Sequence, residues 1–285
     1  MKDDSSAVAT SDQIAQRSRD VAWYHPQLAE VPVAAREVLE QYSKIPADEI
    51  EKHVFSIRER AWDIWPYPCI GGFRFLQLHL PTTVQYPQIL DRIKRGEKLL
   101  DLGCCFGQEI RRLVLDGAPS ENIYGLDLRK DFFDLGYDLF LDRETCKSTF
   151  IAANIFEPSQ EVSSALDGKV SVIYAGAFFH LFDRPQQLEI AKRMATLLSI
   201  NTGSMVLGRH VGNVKAGRYD HVTNQGGHMF RHDEQSWKDL WAEAGRETGT
   251  EWDVWVEMQV TSRFVKSGAH VAEGSRAMQF CVTRL

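Results

Sequence analysis

From residue 98 onward, short apolar runs alternate with stretches whose apolar residues recur at helical spacing. The pattern predicts strand 98–102, helix 107–116, strand 122–127, helix 130–141, strand 148–152, helix 159–167 and strand 169–175. It continues with helix 184–198, strand 203–209 and helix 233–244. Strands near 251–260 and 276–283 follow with no comparably clear helix between them, which reads as an antiparallel pair on a sheet edge. Strand–helix alternation implies right-handed βαβ units and a parallel sheet covered on both faces. The expected fold class is α/β.

Before residue 98 the pattern is helical. Pro32 to Ser43 and Pro46 to Trp65 carry apolar residues at helical spacing, each opened by a proline where a helix accepts one. Acids cluster in the first turn of the second, which suits the helix dipole. Pro66, Pro68, Gly71 and Gly72 then break the chain, and a helix from Gln88 ends at Gly96. Residues 1–20 are polar and read as a loose terminus. The division expected is a loose terminus 1–20, a helical lid or cap 21–87 and an α/β domain 88–285. The cap carries Trp23, Tyr24, Trp62, Trp65, Phe73 and Phe75. These rings either pack against the sheet or cover a bulky apolar ligand.

Composition narrows the partners. The 285 residues are 44% hydrophobic and 25% charged, with net charge −6, an ordinary globular balance. An acidic chain lacks the basic face that nucleic-acid binding needs. No apolar run reaches the length of a membrane span, and the first residues lack the apolar core of a signal peptide. Five cysteines without a C-x-x-C read as reduced thiols in a cytoplasmic protein.

The chemistry centres on Lys98 to Gln108, K-L-L-D-L-G-C-C-F-G-Q. It combines a buried strand, a glycine turn and a helix start, the crevice where α/β folds bind nucleotide-like ligands. Gly103 permits a dihedral other residues avoid and leaves room for a ligand. G-x-x-x-G does not meet the dinucleotide fingerprint, and Asp101 precedes the first glycine. A pyrophosphate prefers helix N–H groups without a carboxylate nearby. A second strand, N-I-Y-G-L-D-L, ends in Asp127, positioned to accept from ribose hydroxyls or to cap the next helix.

A D-x-G-x-x-x-G turn followed by an acid ending the next strand resembles motif I of class I S-adenosylmethionine (SAM) methyltransferases. The resemblance covers roughly Gln88 to Leu285. It implies a Rossmann-like, mostly parallel seven-stranded sheet with a C-terminal antiparallel hairpin. The implied cofactor is SAM without a metal, held by Asp101, Gly103, Cys104, Gly107, Asp127, Leu128, Asn154, Ile155 and Ala175. Asn154 stands where such enzymes often have Asp by the adenine amine; alternatively it simply turns the chain.

At the far side, V-S-V-I-Y-A-G-A-F-F-H-L-F-D ends the fourth strand, and His180 lies four residues past Gly176. It is either a general base, apt by its ordinary pKa of about 6.5, or a residue that structures the turn before Asp183. Arg209 and His210 end the fifth strand. The glycine-rich stretch from Val211 to Arg231 is long for a connection and holds further histidines and arginines. An arginine here can hold a substrate carboxylate in a forked pair. His228 and His232 have helix-type spacing, but no H-E-x-x-H is present, so no metal site is expected.

The blocks W-Y-H-P, A-W-D-I-W-P-Y-P-C-I-G-G-F-R-F-L and L-L-D-L-G-C-C-F-G-Q-E-I-R-R-L look like a narrower group. They are similar to fungal secondary-metabolite O-methyltransferases, notably those that esterify the carboxylate of a farnesylated aromatic polyketide in meroterpenoid pathways. Relatives in the group methylate a pyrone or phenol hydroxyl. The resemblance implies an apolar, prenylated small-molecule acceptor, a homodimer, and an acceptor site that draws on Arg209, His210, Trp65 and Phe73. A carboxylate is already ionised and needs only positioning, whereas a phenol gains from His180 as base. A Rossmann oxidoreductase and a non-catalytic SAM-binding scaffold are the competing classes.

Overall fold

The computed structural model describes residues 18–157, 159–221, 227–261 and 272–285. Most of the polar N-terminal stretch, residues 1–17, and the segment between the last two strands, 262–271, lie outside the described residues.

The α/β part opens with α4 (Tyr86–Lys94), which α1 to α3 of the cap precede. Strand β1 (Leu99–Leu102) is buried at every position, as the unbroken apolar run demands. Next come α5 (Gln108–Leu115), β2 (Ile123–Asp127), α6 (Lys130–Phe140), β3 (Thr149–Ala152), α7 (Gln160–Leu166), β4 (Val172–Gly176) and α8 (Arg184–Leu197). The chain continues as β5 (Met205–Asn213), β6 (Gly217–Asp220), β7 (His228–Arg231), α9 (Glu234–Thr248), β8 (Trp252–Gln259) and β9 (Ser275–Arg284).

The main sheet has seven strands in the order β3-β2-β1-β4-β5-β9-β8. Strands β1 to β5 run parallel, while β9 lies antiparallel between β5 and β8. The order reverses between β1 and β4, so the crevice opens above their carboxyl ends. Helix α8 starts cleanly because Asp183 and Gln186 form a reciprocal capping box. Helix α9 stops at Gly249, which takes a left-handed conformation.

The expected elements are present with shifted ends, and one region differs. Strand β5 runs four residues beyond 209, to Asn213. The stretch read as a long loop holds β6 and β7, paired as a separate two-stranded ribbon. His228 therefore sits on a strand, beside Asp220 at 3.6 Å, rather than on a helix with His232.

The cap comprises α1 (Val33–Glu37), a π-helical turn (Val38–Tyr42), α2 (Ile50–Ile64) and the short α3 (Pro68–Gly71), then 3-10 turns at 74–76 and 80–82. It has no core of its own. Val38, Leu39, Ile57, Trp62 and Phe75 form one cluster with Phe106, Phe132, Leu135 and Leu139 of the α/β part. Phe106 is the pivot, edge-on to Phe75 at 5.0 Å and to Phe132 at 5.6 Å. A buried ion pair reinforces the joint: Arg111 grips Asp142 through two bonds of 2.8 and 3.0 Å. Tyr42 of the cap donates to the same carboxylate at 2.7 Å. Inside the cap, the fully buried Arg58 guanidinium lies 4.3 Å from the ring centres of both Tyr24 and Phe73.

Candidate active site

The turn after β1 remains tied to β2. Gly103 and Cys104 donate to Leu126 O at 2.7 and 3.3 Å, and Cys105 donates to Asp127 Oδ2 at 2.9 Å. Asp127 Oδ1 accepts from the Arg129 amide at 3.2 Å. The motif thus brings Asp101, Gly103, Cys104, Gly107 and Asp127 together, as the spacing implied. Gly103 and Gly107 have φ of 75° and 68°, and Cys105 shares the left-handed region at 51°. Ala177, just past β4 on the opposite wall, does so at 54°. Non-glycine residues held there store strain, which collects at ligand sites. The space above Gly103 differs from the expectation. A Cβ there would meet Phe178 Cδ2 at 2.7 Å, so the glycine admits that ring.

Three acids converge beneath the turn. Burial pushes the Asp101 carboxyl well up, with Glu109 and Asp127 adding repulsion. Glu109 is pushed up to about 7 by burial, although the His79 and Leu80 amides oppose the shift. Asp127 is raised by burial, with the amides around it lowering it in part. Asp101 Oδ2 is buried and has no hydrogen-bond partner among the described residues. A buried acid with an open oxygen, among acids that resist ionisation, fits a cationic ligand. SAM carries an ammonium and a sulfonium, so these residues fit it.

Several expected cofactor residues also make structural contacts. The Asn154 carboxamide accepts from the Phe156 amide at 3.2 Å and donates to Glu157 at 3.0 Å, so its side chain turns the chain. Cys104, Ile155 and Ala175 are buried in the core. Leu128 is 51% exposed beside Asp127 and presents an apolar face at the crevice rim.

On the β4–β5 side, His180 lies in a 3-10 turn, Phe179–Leu181. Gln187, buried on α8, fixes that turn: its amide nitrogen is 2.9 Å from the carbonyls of Phe179, Phe182 and Phe230. His232 Nε2 lies 2.6 Å from Gln187 Oε1, and burial pushes that histidine down to about 3. Arg209 pairs with Gly176 across the strands, at the carboxyl edge. Its Nη1 lies 2.9 and 3.1 Å from the two ring nitrogens of His79. The His79 amide in turn donates to Glu109 at 2.7 Å. Burial lowers the Arg209 pKa, and no acid among the described residues pairs with it.

His210 corrects its expected role. Consecutive strand residues face opposite ways, so Arg209 reaches the crevice side and His210 enters the core. It is 4% exposed, 4.9 Å from the Trp237 ring and 3.3 Å from Met278 Sδ. Burial, with His180 and His232 adding repulsion, holds it neutral. Phe73 is likewise 4% exposed, within the cap interior. Trp65 is half-buried, under the Arg129 guanidinium at 3.9 Å. His79 and Glu109 carried no sequence signal, because their partners lie far along the chain, and Gln187 joins nearby carbonyls of Phe179 and Phe182 to the distant Phe230 and His232. Among the described residues no cluster of His, Cys, Asp and Glu is arranged for a metal ion. No helix there is long and apolar enough to cross a membrane.

Comparison with known proteins agrees with this geometry. Residues 23–76 match the family model described as the meroterpenoid methyltransferase N-terminal domain. The O-methyltransferase phiE of a fungal species is 46% identical over 238 residues, 83% of this chain and 79% of its own length. The asnovolin E/chermesin D methyltransferase nvfJ of Aspergillus novofumigatus is 44% identical over 260 residues, 90% and 91% of the two chains. The O-methyltransferase atr3 of Stereocaulon alpinum is 41% identical over 271 residues, 95% and 78%. Among solved structures, Haemonchus contortus phosphoethanolamine N-methyltransferase 2 with S-adenosyl-L-methionine has TM-score 0.51 at 14% identity. That likeness covers 89% of this chain and 60% of that one, and it speaks to fold alone. Turn, acids, sheet order and relatives agree: the chain belongs to the fungal O-methyltransferases of meroterpenoid and related secondary metabolism, and is a SAM-dependent methyltransferase.

Proposed function

We propose that this enzyme forms the methyl ester of a carboxylate on a bulky apolar acceptor of the prenylated aromatic polyketide class. Bound SAM supplies an electrophilic methyl group. The observation that carries the reading is Arg209. A half-buried guanidinium that faces an imidazole and no acid is an incomplete ion pair. Its missing partner is an anion, and an acceptor carboxylate at the β4–β5 edge supplies one. The carboxylate arrives ionised, so Arg209 orients it and the Phe178 and Phe182 rings, 5.1 Å apart, exclude water beside it. The matched family model, described as a meroterpenoid methyltransferase N-terminal domain, supports a terpenoid-derived acceptor. Asp101 and Asp127 hold the cofactor in this reading. The homodimer expected from the resemblance belongs to the same proposal, with size-exclusion chromatography as its check.

A second reading is favoured by His180, which stands beside the same edge: a phenol or pyrone hydroxyl whose proton the imidazole takes. Labelled SAM with a panel of prenylated acids, phenols and pyrones separates them, followed by kinetics on the acceptor found. For a carboxylate, Arg209→Met raises the acceptor KM by about 30- to 1,000-fold, the worth of a buried charge-assisted contact. His180→Ala then costs about tenfold, and activity falls only near the substrate carboxyl pKa of about 4. A loss of about 10²–10⁴ in kcat for His180→Ala, with an acid limb near about 6.5, overturns the carboxylate reading.

A further inference from the structure

Two residues past Asp127, Arg129 is close enough to lower that carboxylate's pKa, yet it makes no ion pair with it. An exposed or half-buried arginine so near an aspartate ordinarily forms a forked pair. Here the guanidinium is drawn the other way. Its Cζ lies 3.9 Å from the centre of the Trp65 ring, and it is close enough to the Tyr67 hydroxyl to lower that group's pKa against the effect of burial. Both holding residues come from the cap, in the Pro-rich segment between α2 and α3. Arg129 Nε and Trp65 Nε1 are buried without hydrogen-bond partners among the described residues, so the arrangement is not one of full hydrogen bonding. Asp127 meanwhile accepts from the Cys105 amide on one oxygen and the Arg129 amide on the other, and the Leu128 amide also lowers its pKa. An ionised carboxylate has about four acceptor sites, so lone pairs remain for a ligand.

We propose that Trp65 and Tyr67 are positioning residues for the cofactor site: they hold Arg129 off Asp127, so that the carboxylate stays open to the ribose hydroxyls of SAM. The cap segment then acts on the cofactor half of the crevice, and Trp65 belongs there rather than to the acceptor wall. Without the indole face the guanidinium swings onto Asp127 and competes with the ribose. The proposal rests on Asp127 as the ribose acceptor.

The test is epistasis, read by calorimetric titration of the full chain with SAM and its demethylated product. Trp65→Leu weakens binding by about tenfold, in the range of a desolvated cation–π contact. Trp65→Phe keeps a ring face and binds within about threefold of native. Arg129→Met alone changes little. The double variant Trp65→Leu, Arg129→Met regains most of the lost affinity, because the competing cation is gone. Tyr67→Phe, a smaller change that preserves folding, weakens binding by about threefold, and only when Arg129 is present. A double variant as weak as Trp65→Leu alone overturns the proposal. So does Trp65→Leu with unchanged SAM affinity and a raised acceptor KM, which returns Trp65 to the acceptor wall. Asp127→Asn separates the layers: unchanged affinity there removes the ribose assignment itself. A loss there with none in Trp65→Leu removes only the role of Trp65.

Discussion

On the β1–β2 side of the crevice three acids, Asp101, Glu109 and Asp127, each have the pKa raised by burial. On the β4–β5 side Arg209, His210 and His232 each have the pKa lowered by burial. Burial pushes both sets toward neutrality, from opposite directions. A cationic donor relieves the first set, and an anionic acceptor relieves Arg209, the member of the second set that reaches the crevice. The two substrates thus enter a divided field in which each is mismatched to the other's half. Beyond the β1–β4 pairing, the halves meet at Gly103 against Phe178, at Tyr174, whose hydroxyl donates to Glu109 at 3.4 Å, and at His79, whose amide meets Glu109 and whose ring meets Arg209.

The largest break comes at the first of these contacts. Gly103→Val sets a branched side chain into Phe178 and imposes a left-handed φ of 75° on it. SAM affinity should drop by more than about 100-fold, with strain of about 1–3 kcal/mol lowering Tm. Calorimetric titration on a sample with native-like circular dichroism checks it, and native affinity would refute the seam.

Titration sharpens the contrast next. The folded pKa of Glu109, about 7, exceeds its ordinary 4.5, so the folded state binds the extra proton between those values. Its stability contribution is full below about 4.5 and is lost as pH rises toward about 7, on the order of 3 kcal/mol. His232 runs the other way. Its folded value of about 3 lies below 6.5, so stability present above 6.5 is lost as pH falls. Glu109→Gln should therefore raise Tm at pH 7 relative to pH 5. His232→Asn should flatten the acid side instead. Denaturant melts at several pH values decide, and parallel slopes in both variants would defeat the division.

Asp127→Asn removes charge from the acid half alone. SAM binding should weaken by about 1.5–3 kcal/mol, roughly 10- to 150-fold, while the acceptor KM stays put. A shift in both constants would mean that the halves are not separable. The smallest effect is expected at His79→Gln, which keeps an acceptor for Arg209 but alters its angle. The acceptor KM should rise about three- to fivefold with kcat and SAM affinity unchanged, the scale of one neutral hydrogen bond.

The acid half was legible in the sequence because its residues are close together in the chain. Asp101 to Gly107 is one strand–turn–helix, and Asp127 ends the next strand. The basic half was legible only in part. Arg209 and His180 stand at strand ends, where position alone suggests function. His79 and Gln187 act through partners 130 and 45 residues away, so no local pattern marks them. Glu109 reads locally as an ordinary first-turn acid, and only the amides of His79 and Leu80 reveal its burial. The β6–β7 ribbon was missed because its short strands sit among glycines that look like loop. His210 was misplaced because the strand's alternation was not extended past residue 209.

The shared cluster around Phe106 bears on how this enzyme can be re-engineered. A family boundary at residues 23–76 invites exchange of that segment between relatives, as though it were a module. Its inner surface, however, is completed by Phe106, Phe132, Leu135 and Leu139, and its Tyr42 hydroxyl by Asp142. A chimaera cut after residue 76 would join one parent's knobs to the other's holes. The natural unit of recombination runs from the cap through Asp142, cofactor turn included, and leaves the β4–β5 wall as the part that can be swapped.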